Sequence, residues 1–266
     1  MSVVSAPAAA LSDLFARTRL EGRAAFAAYL PAGYPSAEEG LDALLAVADH
    51  ADLVEVGVPV QHAHLDGPVI QNAHRRSLDG GFEMGHLFEV LRHLTNHTAA
   101  AVLVMTYWAP VTRFGPDRFA QAVSHAGAAG VLIPDIPPDA LEAWHRAAGR
   151  YSLDTVQVAP RHGDHHALKK ACGQSTGLVY APASHGVTGG SAVIDRRLHE
   201  FVAEIRQLTS TPVGVGFGIS TAEQVRQAAR FADAVLVGSA VVKRLGSGGA
   251  DAAAALVREL ASAVHT

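Results

Sequence analysis

Eight short apolar runs punctuate the chain, at residues 24–30, 53–58, 101–106, 130–134, 155–159, 177–181, 212–216 and 234–237. Most are near-continuously apolar rather than alternating, the pattern of parallel strands covered on both faces. Between them lie segments of helical period, many opened by a capping signal. Ser36-Ala-Glu-Glu39 and Ser220-Thr-Ala-Glu223 set a hydroxyl three residues before a glutamate, as a capping box does. Pro116-Asp117 starts a segment with Phe119, Ala122 and Val123 on one face, and Asp139, Asp164 and Asp195 are the expected starts of three more. An extra helix, roughly residues 8–20, precedes the first strand. Gly246-Ser-Gly-Gly249 reads as a short flexible joint before a last helix over residues 251–264. Eight βα units with no linker predict an α/β fold, a single (β/α)8 TIM barrel spanning residues 1–266 with an extra N-terminal helix. An open doubly wound sheet would leave the last strands without a second layer.

Composition narrows the setting. At 266 residues the chain matches one barrel, since such domains run to about 250 residues. Hydrophobic residues make up 49% and charged ones 17%, which supplies a core and excludes disorder. A net charge of −4 argues against a dedicated nucleic-acid surface. One cysteine, Cys172, leaves no internal disulfide or cysteine metal cage and suits a reducing compartment. No basic residue precedes Arg17, so no secretory signal is expected. The longest uncharged apolar stretch, residues 98–112, contains Pro110 and is too short to cross a bilayer. Together these features predict a soluble cytoplasmic protein.

Active sites of barrels sit at the C-terminal strand ends, where two loops here are long: residues 59–68, rich in His, and residues 182–194, with Gly186, Thr188, Gly189 and Gly190. Glu55 stands just before the first of these. In Leu53-Val-Glu-Val-Gly-Val58, alternation puts the three valines on one face and Glu55 on the other. If the valines pack on helices, Glu55 points into the barrel mouth. Ionising it there is costly, so its pKa should rise toward working pH, as a proton shuttle requires. The plainer reading is a structural glutamate with a basic partner. No Lys or Arg lies between Arg23 and Arg75, so that partner would come from far along the chain. Asp66, in an ordinary Asp-Gly-Pro turn, is a second carboxylate on the same rim, suited to an N–H or a developing positive charge. Tyr180 shares an inward face with Leu178 and Pro182, and alone reads as a packed ring.

Glycines mark an anion site. Gly216-Phe-Gly-Ile-Ser220 closes the seventh run and Gly238-Ser239 the eighth, and Gly186-Val-Thr-Gly189 lies in the long loop after the sixth. Loops after strands 7 and 8, with a helix N-terminus, form the recurrent phosphate site of this fold. Either cluster alone is a tight turn; together they predict a small phosphorylated substrate. His62 and His64, then His162, His165 and His166 with Asp164, suggest a metal. The first set lacks a third ligand and the second opens a surface helix, so both read as solvated histidines, with no metal site.

These residues, in this order, resemble the tryptophan synthase α-subunit family over nearly the whole length. The specific pieces are Pro31-Ala-Gly-Tyr-Pro35, Val54-Glu-Val-Gly-Val-Pro59, Asp66-Gly-Pro-Val-Ile-Gln71, Val104-Met-Thr-Tyr107, Pro134-Asp-Ile-Pro137, Gly186-Val-Thr-Gly189, Gly216-Phe-Gly-Ile-Ser220 and Val237-Gly-Ser-Ala240. The resemblance implies cleavage of indole-3-glycerol phosphate into indole and glyceraldehyde 3-phosphate, a retro-aldol reaction without metal or organic cofactor. It implies Glu55 as the proton-transfer group, Asp66 as the indole-binding group and Tyr180 as the active-site tyrosine. It implies a phosphate pocket from Gly189, Gly216, Phe217, Gly218, Gly238 and Ser239. The implied partner is a tryptophan synthase β-subunit in an αββα complex. Val60-Gln-His-Ala63, Ala109 and Ser184 stand where the family usually has Phe-Ser-Asp-Pro, Asn and Arg. Those positions lie mainly in loops that face or couple to the β-subunit, so a lyase acting with no partner is a second reading. Two other classes compete: a non-catalytic phosphate-ligand-binding regulator, which needs no tuned acid, and another sugar-phosphate lyase or isomerase. A Schiff-base lysine on a strand would favour the latter, and the strand runs contain none.

Overall fold

The computed structural model describes residues 10–183 and 194–265. All eight apolar runs are parallel strands: β1 (Ala25–Pro31), β2 (Leu53–Gly57), β3 (Ala101–Met105), β4 (Gly130–Leu132), β5 (Asp154–Val158), β6 (Leu178–Pro182), β7 (Val213–Gly216) and β8 (Ala234–Val237). Each pairs with the next, and β8 closes on β1 to complete the barrel. Barrel side chains on one face and helices on the other bury almost every strand residue, which is why the runs are continuously apolar.

Around the barrel run α1 (Leu11–Leu20), α2 (Ala37–Ala48), α3 (Pro68–Asp79), α4 (Met84–His97), α5 (Trp108–Phe114), α6 (Pro116–His125), α7 (Leu141–Arg150), α8 (His165–Gly173), α9 (Leu198–Leu208), α10 (Ala222–Ala229) and α11 (Ser239–Ser262). Ser36 caps α2 by accepting the Glu39 N–H, and Asp164 caps α8 by accepting the Ala167 N–H. None of the helices is long and apolar enough to cross a membrane, among the described residues.

Three local expectations need correction. The capping box of α10 is one residue later than Ser220–Glu223: Thr221 accepts the Gln224 N–H, and the Gln224 side chain accepts the Thr221 N–H. Asp139 does not cap α7, whose N-cap is Ala140. Asp195 does not cap α9 either, because its carboxylate is taken by Arg161 and by the Arg197 N–H. At 246–249 the expected joint is present: Gly249, at φ +74°, breaks the helical conformation and leaves two helical segments of α11 meeting at a kink. A Cβ on Gly246 would come within 2.2 Å of the Tyr34 hydroxyl, so this glycine lets the first segment pack on Tyr34.

At the N-terminal end of the barrel, Arg23 grips Asp52 through two nitrogens, at 2.6 and 2.8 Å, and the Phe26 N–H donates to the same carboxylate. Burial pushes the Asp52 carboxyl up, but the Arg23 and Phe26 hydrogen bonds and the charges of Arg23 and Arg17 outweigh it and hold it below its ordinary value. A depressed folded-state pKa gives stability that is present above the unfolded value, near 4, and lost as pH falls through the folded one. Asp52→Ala should therefore cost about 3 kcal/mol in urea unfolding at neutral pH. The gap between variant and wild type should close below about pH 4.

Candidate active site

β2 delivers Glu55. Val54 and Val56 are fully buried on the outer face, so Glu55 turns inward, in register with Tyr29 of β1 and Leu103 of β3. Glu55, Asp66, Tyr29 and Tyr180 converge on one cavity of about 50 Å3, whose wall also carries Phe217, Gly218, Gly238 and Ser239. Among the described residues no Lys or Arg lines it. Glu55 is 5% exposed, and its Oε1 is buried with no hydrogen-bond partner among the described residues. Burial, and then the like charge of Asp66, push the Glu55 carboxyl up to about 8. At neutral pH it is an acid holding its proton.

Asp66 is 3% exposed and belongs to the loop that feeds α3, where Gly67 is the N-cap and Pro68 opens the helix. The Tyr107 hydroxyl donates to Asp66 Oδ2 at 2.9 Å and accepts the Leu65 N–H at 3.1 Å. Gln71 of α3 donates to the Asp66 and Ala63 carbonyls. This network fixes where the second carboxylate stands.

Tyr180 stands edge-on to Phe217, with ring centroids 5.0 Å apart, and its hydroxyl engages the Phe217 backbone. Burial, then the charges of Glu55 and Asp66, raise this phenol well above its ordinary value, so it stays protonated. A Cβ on Gly216 would lie 2.0 Å from the Tyr180 hydroxyl; on Gly57 it would lie 2.2 Å from the Tyr29 hydroxyl. Gly216 therefore makes room for a tyrosine and is not in the cavity wall. Phe217 (φ +65°) and Gly218 (φ +89°) are both left-handed, a conformation that strains the phenylalanine. Gly238 is the N-cap of α11 and Ser239 its first residue, so unpaired helix N–H groups and the positive end of the dipole face the cavity. That chemistry suits an anion.

The structure thus brings together Glu55, Asp66, Tyr180, Phe217, Gly218, Gly238 and Ser239. Gly189, with Gly186, Thr188 and Gly190, lies outside the described residues. His62, His64, His162, His165 and His166 are exposed, and no group of three metal-ligating side chains occurs among the described residues. A larger cleft, of about 640 Å3, lies between the loop of residues 59–68 (loop 2, after β2) and α5, lined by Val60, His62, His64, Tyr107, Ala109 and Arg113 among others. Neither carboxylate lines it, so size alone does not locate the chemistry. Sequence reasoning missed Tyr29, Tyr107 and His74. Alternation along β1, which sets Ala27, Tyr29 and Pro31 on one face, carried the signal for Tyr29.

The family model described as tryptophan synthase alpha chain matches residues 15–265. The chain is 43% identical over 255 residues to the tryptophan synthase alpha chain of Acidothermus cellulolyticus, covering 95% of this chain and 94% of the relative. It is 40% identical over 261 residues to that of Streptomyces coelicolor, covering 96% of each. Among solved structures, one of Mycobacterium tuberculosis tryptophan synthase superposes with a TM-score of 0.91 at 34% identity, over 96% of this chain and 98% of that one.

Tyr107 is the buried tie between the end of β3 and two points of loop 2, the Leu65 N–H and the Asp66 carboxylate. In Tyr107→Phe, both lose this hydroxyl. The Leu65 amide should exchange with solvent about fivefold faster by NMR, since a hydrogen bond is worth about 1 kcal/mol.

Proposed function

We infer the reaction from one premise: this chain belongs to the tryptophan synthase alpha chain family. It is a carbon–carbon lyase of tryptophan biosynthesis that cleaves indole-3-glycerol phosphate to indole and glyceraldehyde 3-phosphate. One observation carries the assignment of roles: a protonated carboxyl, pushed up to about 8, is buried beside a second carboxylate in the barrel mouth. A protein that only binds a phosphate ligand has no use for such an acid. A Schiff-base aldolase needs a strand lysine, and none of the eight strands carries one.

Indole is a poor carbanion leaving group, so ring C3 must gain a proton before its bond to the side chain breaks. Neutral Glu55 gives that proton, and positive charge develops at the ring nitrogen. Asp66 accepts the ring N–H and offsets that charge. Ionised Glu55, directly or through Tyr180, then takes the proton of the adjacent side-chain hydroxyl. The O–H electrons become the aldehyde C=O, and the electrons of the breaking C–C bond return to the ring. Glu55 ends as it began, and neither metal nor organic cofactor enters. The phosphate is held by backbone N–H groups around Phe217, Gly218, Gly238 and Ser239, with Gly189 added as the family resemblance implies; Gly216 instead gives room to Tyr180 at the acid–base end.

A buried lone Cys172, its thiol pushed up by burial and then by the charge of Glu204, fits a reducing, cytoplasmic setting. The partner is a tryptophan synthase β-subunit. Its docking face is the loop 2 and α5 cleft, where Val60, His62 and Ala109 stand in place of the usual residues.

Purified protein with indole-3-glycerol phosphate should release indole. Glu55→Gln should lower turnover by at least about a hundredfold with ligand affinity little changed, as the loss of general acid–base catalysis requires. Because the acid form of Glu55 starts the reaction, kcat/KM should be level below about pH 8 and fall as pH rises through it. Adding a β-subunit from the same source should stimulate turnover and give a co-eluting complex. Full turnover alone, with no complex, would establish a stand-alone lyase instead.

A further inference from the structure

We propose that His74 is a positioning residue for the Glu55–Asp66 pair: it orients Tyr29 so that the phenol gives its one proton to a carboxylate of the pair and steadies the ionised form. The functional consequence rests on the reaction assigned above; the geometry does not.

His74 lies on the inner face of α3 and is fully buried. Its Nδ1 faces the Val60 N–H at 3.2 Å. A backbone N–H can only donate, so Nδ1 carries no proton. Burial pushes this imidazole down to about 4, so the ring is neutral and its proton sits on Nε2. Nε2 is 3.0 Å from the Tyr29 hydroxyl. The histidine therefore donates and the phenol oxygen accepts. One tautomer fits both contacts, and it leaves the Tyr29 proton for another acceptor.

The acceptors at hand are the carboxylates. The Tyr29 hydroxyl sits over Gly57, where a Cβ would come within 2.2 Å of it. Gly57 follows Glu55 by two residues on the inward face of β2, and Tyr29 is the register partner of Glu55. Both side chains line the same cavity, and Glu55 Oε1 is buried with no partner. Besides burial, the charges of Asp66, Glu55 and Tyr107 all bear on the Tyr29 phenol, so both carboxyl groups feel it electrostatically. Among the described residues, the titratable groups facing Glu55 are Asp66 from loop 2, Tyr29 from β1, Tyr180 from β6 and, further out, Tyr107 and His74, and no Lys or Arg lines the cavity. Tyr107 already gives its proton to Asp66. A hydroxyl whose oxygen accepts an N–H is also the more polarised donor.

The test follows the Glu55 carboxyl by carbon-13 NMR in the ligand-free protein, so it needs no turnover. A donor to a carboxylate favours the charged form, so losing it raises the titration midpoint. Tyr29→Phe should raise the Glu55 midpoint by about one pH unit, the size expected of a hydrogen bond to a charged group. His74→Phe should shift it in the same direction, and the double variant no further than Tyr29→Phe alone. Nitrogen-15 spectra of the wild type should show His74 protonated at Nε2 only. An unchanged midpoint in Tyr29→Phe, additive shifts in the double variant, or a proton on Nδ1 would each overturn the proposal. If His74→Phe does not fold, the Tyr29→Phe midpoint and the wild-type tautomer still decide. Indole release by the wild type tests the reaction itself, so failure of the reaction and failure of this proposal are separately visible.

Discussion

Two carboxyl groups buried in one barrel mouth without a cation cannot both ionise cheaply, and the surrounding structure is arranged around that cost. Each buried charge lacks water to solvate it and feels its neighbour through a medium of low dielectric. Glu55 meets the cost by keeping its proton to about pH 8. Asp66 meets it with the Tyr107 hydroxyl and a loop whose carbonyls are held by Gln71. Glu55 is thereby held as an acid at neutral pH beside a second carboxyl group that Tyr107 fixes in place.

The tyrosines around the pair explain several glycines that look at first like ligand-binding positions. Tyr29 and Tyr180 come from β1 and β6, and each sets its hydroxyl where a neighbouring strand would place a Cβ, at Gly57 and Gly216. Hydroxyls can line this mouth only because those strands end in glycine. The anion-binding features lie one step further on, in the left-handed Phe217-Gly218 pair and at the start of α11. So Gly216 serves the acid–base end of the site, whereas Gly218 and Gly238 serve the other.

The architecture was legible in the sequence because parallel strands buried on both faces leave a strong mark: each apolar run became a strand within a few residues. Alternation also aimed Glu55 inward correctly, since one face of β2 is fixed by Val54 and Val56. Cap assignments were weaker. Asp139 and Asp195 carry the right side chain for an N-cap, but a buried arginine, Arg161, claims the second of them through tertiary contact. The role of Gly246 depended on Tyr34, over two hundred positions away, which no local pattern encodes. His74 was equally hidden: its partners, Val60 and Tyr29, come from another loop and another strand. What periodicity reveals is which face a residue is on, not what it meets there.

The two ends of the barrel put carboxylates to opposite uses. At the N-terminal end, Asp52 faces Arg23 and the Phe26 N–H, so its charge is stabilised and contributes to folding. At the C-terminal end, Glu55 is denied any cation, so its charge is disfavoured and the proton becomes available for chemistry. Tyr107 joins that chemistry to the outer surface. Its hydroxyl holds Asp66, while the residue itself lines the cleft formed by loop 2 and α5. Anything that occupies this cleft presses on the residue that positions Asp66. Changes at Val60, His62 and Ala109 therefore lie one buried tyrosine away from the reacting pair, even though none of them lines its cavity.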